Sequence, residues 1–342
     1  MKKMKKILVI LDGISEEKIK ELSYKTPLEY AYTPTLDKII KEGIHEKRRF
    51  YLKDREPDSL SCILSILGVN ENKIPQNRSY LEAIAAGINV ADHEVVLRCN
   101  LISVKNDKLE SFNGANLTNK EMDEVSNHVI TSSAKFYHLN EYRNLLVLER
   151  NSDLLSLATK SPHESIEISI NELLSGVRAI KELNEFVNIN QFYKNNNHYM
   201  YYPWGVAEAI ELPSYLSLHN KSCSCVCRAD IMKGIAKAMK MDMPILKNAT
   251  GDVDTDLREK AKAVLEEINT HDVVIAHING TDEVSHRRNL QGKIDFIEKI
   301  DKEFIKEIHE KIENTKLIIL SDHQTSSITG KHEKGFVDYI SL

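Results

Sequence analysis

The chain is 342 residues long, too long for one ordinary core and long enough for two domains. Its 46 basic and 51 acidic residues are spread throughout and leave a net charge of -5, which excludes the footprint of a nucleic-acid or anionic-membrane binder. No apolar stretch approaches membrane-spanning length, and five cysteines, an odd number, point to a reducing, cytoplasmic setting.

In chain order, Met1-Lys-Lys-Met-Lys-Lys6 has the charge of an export signal, but the apolar run after it, Ile7 to Leu11, is too short for one and ends in Asp12. That run reads as a strand, which leaves Asp12 and Gly13 at a strand terminus. Beyond Pro57, the segment from Asp58 and Ser59 to Gly68 reads as a helix with Ser59 in its first turn, near the positive end of the helix dipole. A divalent cation would lower the pKa of such a hydroxyl further, making serine a nucleophile without a histidine base. Ser61 competes for that role, and Asp58-Ser59 after a proline also suits a helix N-cap.

The middle of the chain has strand-like runs at Glu94 to Val104 and Arg143 to Glu149, helical periodicity over Ile168 to Phe186, and a polar tract, Asn188 to His198, that reads as a linker. Cys223, Cys225 and Cys227 alternate, so a strand would place them on one face. With no fourth ligand at finger-like spacing they read as buried small hydrophobes.

Toward the end, Asp272 to His277 and Lys316 to Ser321 read as core strands of an α/β sheet, whose ligand sites lie beyond the carboxyl ends of the strands. Asp282 and His286 share a helical face, and Asp322-His323 can share a site where the chain leaves its strand. Such a His/Asp mixture suits a Zn²⁺- or Mn²⁺-like ion with no thiolate. The segment Asn289 to Lys311 reads as an amphipathic helix covering the sheet. Asp12 and Ser59 come from one end of the chain and Asp282 to His332 from the other, so the middle must leave and return. We therefore expect residues 1–85 and 200–342 to form one discontinuous metal-binding sheet domain, with residues 86–199 as an inserted substrate-binding domain.

Several blocks recur together. They are Asp12-Gly13, Thr33-Pro34-Thr35-Leu36-Asp37, the Ser59 helix ending Leu-Ser-Ile-Leu-Gly68, Leu81-Glu-Ala, Arg98-Cys-Asn100, Tyr142-Arg143, Trp204-Gly205, Asp230-Ile-Met-Lys233-Gly, Ala249-Thr-Gly251, Asp282-Glu-Val-Ser-His286 and Asp322-His323. From about residue 5 onward they resemble, collinearly, the archaeal-type cofactor-independent (2,3-bisphosphoglycerate-independent) phosphoglycerate mutases of the alkaline phosphatase superfamily. The resemblance implies an α/β fold: an alkaline-phosphatase-like sheet domain sandwiched by helices, with a smaller inserted α+β domain. It implies one divalent ion held by Asp12, Ser59, Asp322 and His323 and a second held by Asp282, His286 and His332, the ions being Mn²⁺, Zn²⁺ or Mg²⁺. Counting back from Leu-Ser-Ile-Leu-Gly68 puts Ser59 at the nucleophile position. Arg78, Arg98, Arg143 and Lys233 fall where the family binds its substrate, and a guanidinium fork matches both phosphate and carboxylate.

The departures from the family surround the substrate and leave the ligands intact. Leu60 stands where an acid usually follows the serine, Ile63 where an asparagine is common, Ala115-Asn116 where Gly-Arg is frequent, and Asn195-Asn-Asn-His-Tyr where a basic segment precedes Trp204. The resemblance implies phosphoryl transfer through a phosphoserine, interconverting 2- and 3-phosphoglycerate. The alternatives are a phosphatase or phosphotransferase (the homoserine-kinase-like branch) on another small phosphorylated metabolite, and a non-catalytic metal-stabilised scaffold, against which the intact Ser59 argues. Nucleic acid and membrane are not expected partners.

Overall fold

The apolar runs at Lys5–Leu11, Val273–Ile278 and Thr315–Leu320 lie side by side and parallel, with Ile10 opposite both His277 and Leu320. Cys223–Val226 extends this sheet in parallel at one edge, and Val337–Ser341 and Ile44–Arg48 extend it antiparallel at the other. The central strands are covered on both faces, which is why their sequences are continuously apolar rather than alternating. Helices Pro34–Glu42, Leu257–Thr270 and Leu290–Ile300 supply Leu36, Ile39, Val264, Ile297 and Ile300 to the core built on Ile7, Val9, Val274 and Ile319. The three central parallel strands finish at the same end of the sheet, so the residues following each are delivered to one place.

The computed structural model describes residues 4–342, leaving Met1 to Lys3 of the basic amino terminus outside, and the chain divides into two units. The first, just described, is Met1–Ile74 with Leu212–Leu342, and the second is Pro75–Glu211. The crossings lie some ten residues away from the expected boundaries at 85 and 200. The reason is that Asn77 and Ser79 bond to the Val206 and Gly205 carbonyls, which ties the Ser79–Ala85 helix to the strand Asn197–Glu208 within the second unit.

The second unit is a smaller α+β body. Its antiparallel sheet runs Ala134–Asn140, Arg143–Glu149, Glu94–Lys105, Asn197–Glu208 and Gln191–Lys194, with Lys108–Ser111 paired to Glu94–Lys105. The polar tract read as a linker is a hairpin: Asn195 and Asn196 adopt φ of 50° and 62°, the left-handed pair that a tight two-residue turn demands, between paired Lys194 and Asn197. The expected helix over 168–186 is three short ones, Ile170–Leu173, Ser175–Ala179 and Lys181–Ile189.

In the first unit, the expected covering helix to Lys311 is also interrupted. Leu290–Ile300 passes into a π-helical turn, Asp301–Ile305, before Lys306–His309. Buried Asp301 accepts from the Thr35 and Leu36 amides at 3.2 and 2.7 Å, satisfying unpaired N–H groups at the start of Pro34–Glu42. No helix among the described residues is long and apolar enough to cross a membrane.

Candidate metal centre

Asp12 follows the Lys5–Leu11 strand directly, its amide bonded to the Ile278 carbonyl at 3.0 Å. Asp322 and His323 follow Thr315–Leu320 by one residue, and Asp282 and His286 lie on the Gly280–His286 helix just past Val273–Ile278. His332 opens the short strand His332–Glu333, paired to Gln324–Thr325. These six side chains fall into two groups whose ligand atoms lie within 4.8 Å of one another: Asp12, Asp322 and His323, and Asp282, His286 and His332.

Ser59 stands beside the first group. Asp58 caps the Ser59–Ile66 helix, its carboxylate accepting from the Ser61 amide at 2.9 Å. The Ser61 hydroxyl turns back to the same carboxylate at 2.9 Å. Ser59, two positions before Ser61, lies 3.2 Å from His323 Nε2 and 3.5 Å from Asp12 Oδ2.

The histidines share one construction. Carbonyls of Gly330 and Pro57 lie 2.8 and 2.9 Å from Nδ1 of His286 and His332, so each Nδ1 carries a hydrogen and Nε2 is the ring atom turned to the site. Those Nε2 atoms are 3.1 and 3.5 Å from the two oxygens of Asp282. Asp322 Oδ1 accepts from the amides of Gly13 and His323 at 3.2 and 3.0 Å, leaving Oδ2 as the inward oxygen.

Electrostatics describe the same arrangement. Burial and the neighbouring Asp12 push Asp322 up to about 7. Burial and Asp282 act upward on Asp12 too, but the adjoining His277 and His323 rings prevail and hold it below the ordinary carboxylate range. Burial likewise opposes ionisation of Asp282, and its contacts with His286 and His332 overcome this, holding it well below that range. Against the desolvation of their rings, the carboxylates raise His286 to about 9 and His323 to about 10.

Three carboxylates this close need positive charge between them. Asp12 Oδ1, Asp322 Oδ2 and His332 Nε2 are buried and make no hydrogen bond. Oxygen and imidazole donors with unpartnered inward atoms fit a divalent cation at each group.

Two further residues were not assigned a role from sequence. His277, fully buried at the end of its strand, places Nε2 3.1 Å from Asp12 Oδ2. Thr325 places its hydroxyl 2.6 Å from Asp282 Oδ1 and 3.2 Å from His323 Nδ1. The apolar run into His277 could have flagged the first, whereas no spacing flags a threonine two residues beyond a histidine.

Of the cations expected to meet substrate, Arg78, Arg98 and Arg143 belong to the second unit and Lys233 to the first. In the second unit, the Glu82 carboxylate takes Arg78 and Arg98, each at 2.9 Å, and the Arg98 guanidinium stacks 4.2 Å from the Trp204 ring centre. Arg143 reaches the Tyr142 hydroxyl at 3.4 Å. In the first unit, Lys233 pairs with Asp230 at 3.1 Å.

Comparison with known proteins gives a consistent family. The phosphoglycerate mutase (2,3-bisphosphoglycerate-independent) of Methanosarcina mazei is 26% identical over 353 residues, covering 97% of this chain and 88% of its own. That of Methanopyrus kandleri is 28% identical over 360 residues, covering 96% and 85%. Among solved structures, the PH0037 protein of Pyrococcus horikoshii has a TM-score of 0.77 at 22% identity, covering 99% of this chain and 87% of its own. The cofactor-independent phosphoglycerate mutase of Thermoplasma acidophilum has a TM-score of 0.58 at 18% identity, covering 99% and 89%. These structures share the fold, and the curated relatives bear out the resemblance read from the sequence blocks. The pattern of the metalloenzyme superfamily matches residues 4–339, and the chain belongs to that superfamily.

Proposed function

We propose that the chain is a metal-dependent phosphoryl-transfer enzyme that interconverts 2- and 3-phosphoglycerate through a phosphoserine at Ser59. The observation that carries this reading is the Ser59 hydroxyl, beside His323 and Asp12 in the first turn of a helix, while Ser61 is engaged by Asp58. Curated relatives that carry the mutase name over nearly the whole chain support it.

Asp12, Ser59, Asp322 and His323 would hold one divalent cation, and Asp282, His286 and His332 the other. When bound, such cations supply Lewis-acid charge that lowers the pKa of a hydroxyl and neutralises phosphoryl oxygens. Ser59 Oγ attacks phosphorus, forming the Oγ–P bond as the ester bond to glycerate breaks, and the serine proton passes to the departing glycerate oxygen. Glycerate re-binds turned around, and its other hydroxyl attacks the phosphoserine, returning the phosphoryl group and freeing Ser59. Arg78, Arg98, Arg143 and Lys233 are the proposed substrate-binding residues. Arg98 has the clearest built environment, with Glu82 and Trp204 fixing its guanidinium plane.

A second reading, a phosphatase or phosphotransferase on another small phosphate ester, is favoured by one observation. The segment where the family carries basic residues is here the Asn195-Asn196 hairpin turn, which adds no cation to hold a dephosphorylated intermediate. A coupled assay with saturating Mn²⁺ tests the proposal. Interconversion of the two phosphoglycerates supports it, and brisk turnover of a different ester with none of these would replace it by the second reading.

A further inference from the structure

We propose that Thr325 is a positioning residue that couples the two ligand groups through a directional hydrogen-bond relay, His323 to Thr325 to Asp282. The inference rests on the two-cation reading above and adds to it the residue that ties the two sites together.

Donor and acceptor chemistry sets the direction. The Thr325 hydroxyl carries one hydrogen, and an ionised Asp282 can only accept, so at 2.6 Å that hydrogen goes to Asp282 Oδ1. What remains on Thr325 Oγ1 is acceptor capacity, offered to His323 Nδ1 at 3.2 Å. The other neighbour of Nδ1, the Gln324 carbonyl at 3.4 Å, also only accepts. Both surroundings therefore require the hydrogen on Nδ1. Nε2 is then the ring atom facing Ser59 Oγ, Asp12 Oδ1 and Asp322 Oδ2, at 3.2, 3.3 and 3.5 Å. One hydroxyl thus orients a carboxylate of one group and fixes the tautomer of an imidazole in the other.

The threonine is itself held rigidly. Its amide donates to the Ser15 carbonyl at 3.1 Å, and its own carbonyl accepts from Lys293 Nζ at 2.7 Å. Lys293 is fully buried and paired at 3.0 Å with Glu16, whose other oxygen accepts from the Ser327 amide at 2.7 Å. Gly13 completes the arrangement: a Cβ there would meet Thr325 Oγ1 and come within 2.8 Å of Asp282 Oδ1. By contrast, the Nδ1 partners of His286 and His332 are single backbone carbonyls. A lone carbonyl can orient one ring but cannot also donate to a carboxylate.

The test is calorimetric titration of the metal-depleted full chain with Mn²⁺, comparing wild type, Thr325→Val and Thr325→Ser. Thr325→Val keeps the shape and removes the relay, so both affinities should fall, each by roughly 10- to 100-fold as for other partners of metal ligands. Thr325→Ser restores the hydroxyl and should recover both. A packing role would not separate valine from serine in this way. Thr325→Val with both affinities unchanged, loss confined to one site, or no rescue by serine would each overturn the relay. If Thr325→Val does not fold, Thr325→Ala removes the hydroxyl without added bulk and is read by the same criteria. A wild-type chain that binds fewer than two ions overturns the two-cation reading and the relay with it, whereas two ions with no effect of Thr325→Val overturns the relay alone.

Discussion

Replacing His323 by alanine removes the side chain on which the first ligand group converges. Its Nε2 lies 3.2 Å from Ser59 Oγ, 3.3 Å from Asp12 Oδ1 and 3.5 Å from Asp322 Oδ2. Alanine leaves Asp12 and Asp322 buried together without the His323 ring beside them, and takes one donor from the proposed cation. The cation loses one charge-assisted contact at roughly 1.5–3 kcal/mol, a loss of about 10- to 100-fold in cation retention at that group. Elemental analysis after dialysis should then find one ion where wild type holds two, and phosphoryl transfer should fall to background because a two-ion clamp fails with one ion. His323→Ala that kept two tightly held ions and near-normal turnover would refute the assignment of the site.

The proton balance gives a second expectation. In the metal-free protein His286 and His323 sit at about 9 and about 10, so both are protonated at neutral pH and a cation must displace those protons. Metal uptake near pH 7.5 should release protons, seen as a titration enthalpy that varies with the buffer, and affinity should fall as the pH is lowered; a buffer-independent enthalpy would contradict this. Gly13→Ala combines the encroachment on Thr325 and Asp282 with a φ of +61°, where a side chain costs roughly 1–2 kcal/mol. It should lower both thermal stability and metal content, and a variant that kept both would show that the close approach at Gly13 is not needed. Lys260 is almost fully buried against the Thr250 and His277 carbonyls, and burial lowers it to about 8. Below pH 8 folded and unfolded chains both carry the proton and the cost of burying the charge is fully present. Between about pH 8 and 10.4 the unfolded chain holds more protons, so this residue adds stability as pH rises, to about 3 kcal/mol. Urea denaturation from pH 7 to 9.5 should show a slope that Lys260→Met flattens, and an unchanged slope would remove Lys260 as its source.

Much of the site was legible because the strands that deliver it are continuously apolar and end abruptly in polar residues, as Leu11 gives way to Asp12 and Leu320 to Asp322. The four-residue spacing of Asp282 and His286 carried the helix that places His286 Nε2 3.1 Å from Asp282 Oδ2. Other features depend on relations no local pattern encodes. Thr325 matters only because chain reversal in the strand pair Gln324–Thr325 and His332–Glu333 brings it between Asp282 and His323. The Asn195-Asn196 turn was hidden because asparagine serves a loose linker and a left-handed turn equally well, and only the strand pairing distinguishes them. The π-helical turn at Asp301 answers a distant demand, the unpaired amides of Thr35 and Leu36, which helical periodicity does not report.

Ser59 is proposed to carry the phosphoryl group between two positions of glycerate. The most direct test is a quenched single turnover with 3-phosphoglycerate labelled in its phosphate, at saturating Mn²⁺, with peptide mapping and product analysis on the same samples. Transient label on Ser59 followed by labelled 2-phosphoglycerate is expected, and neither from Ser59→Ala. Label on Ser61, or labelled 2-phosphoglycerate formed at an undiminished rate by Ser59→Ala, would contradict it.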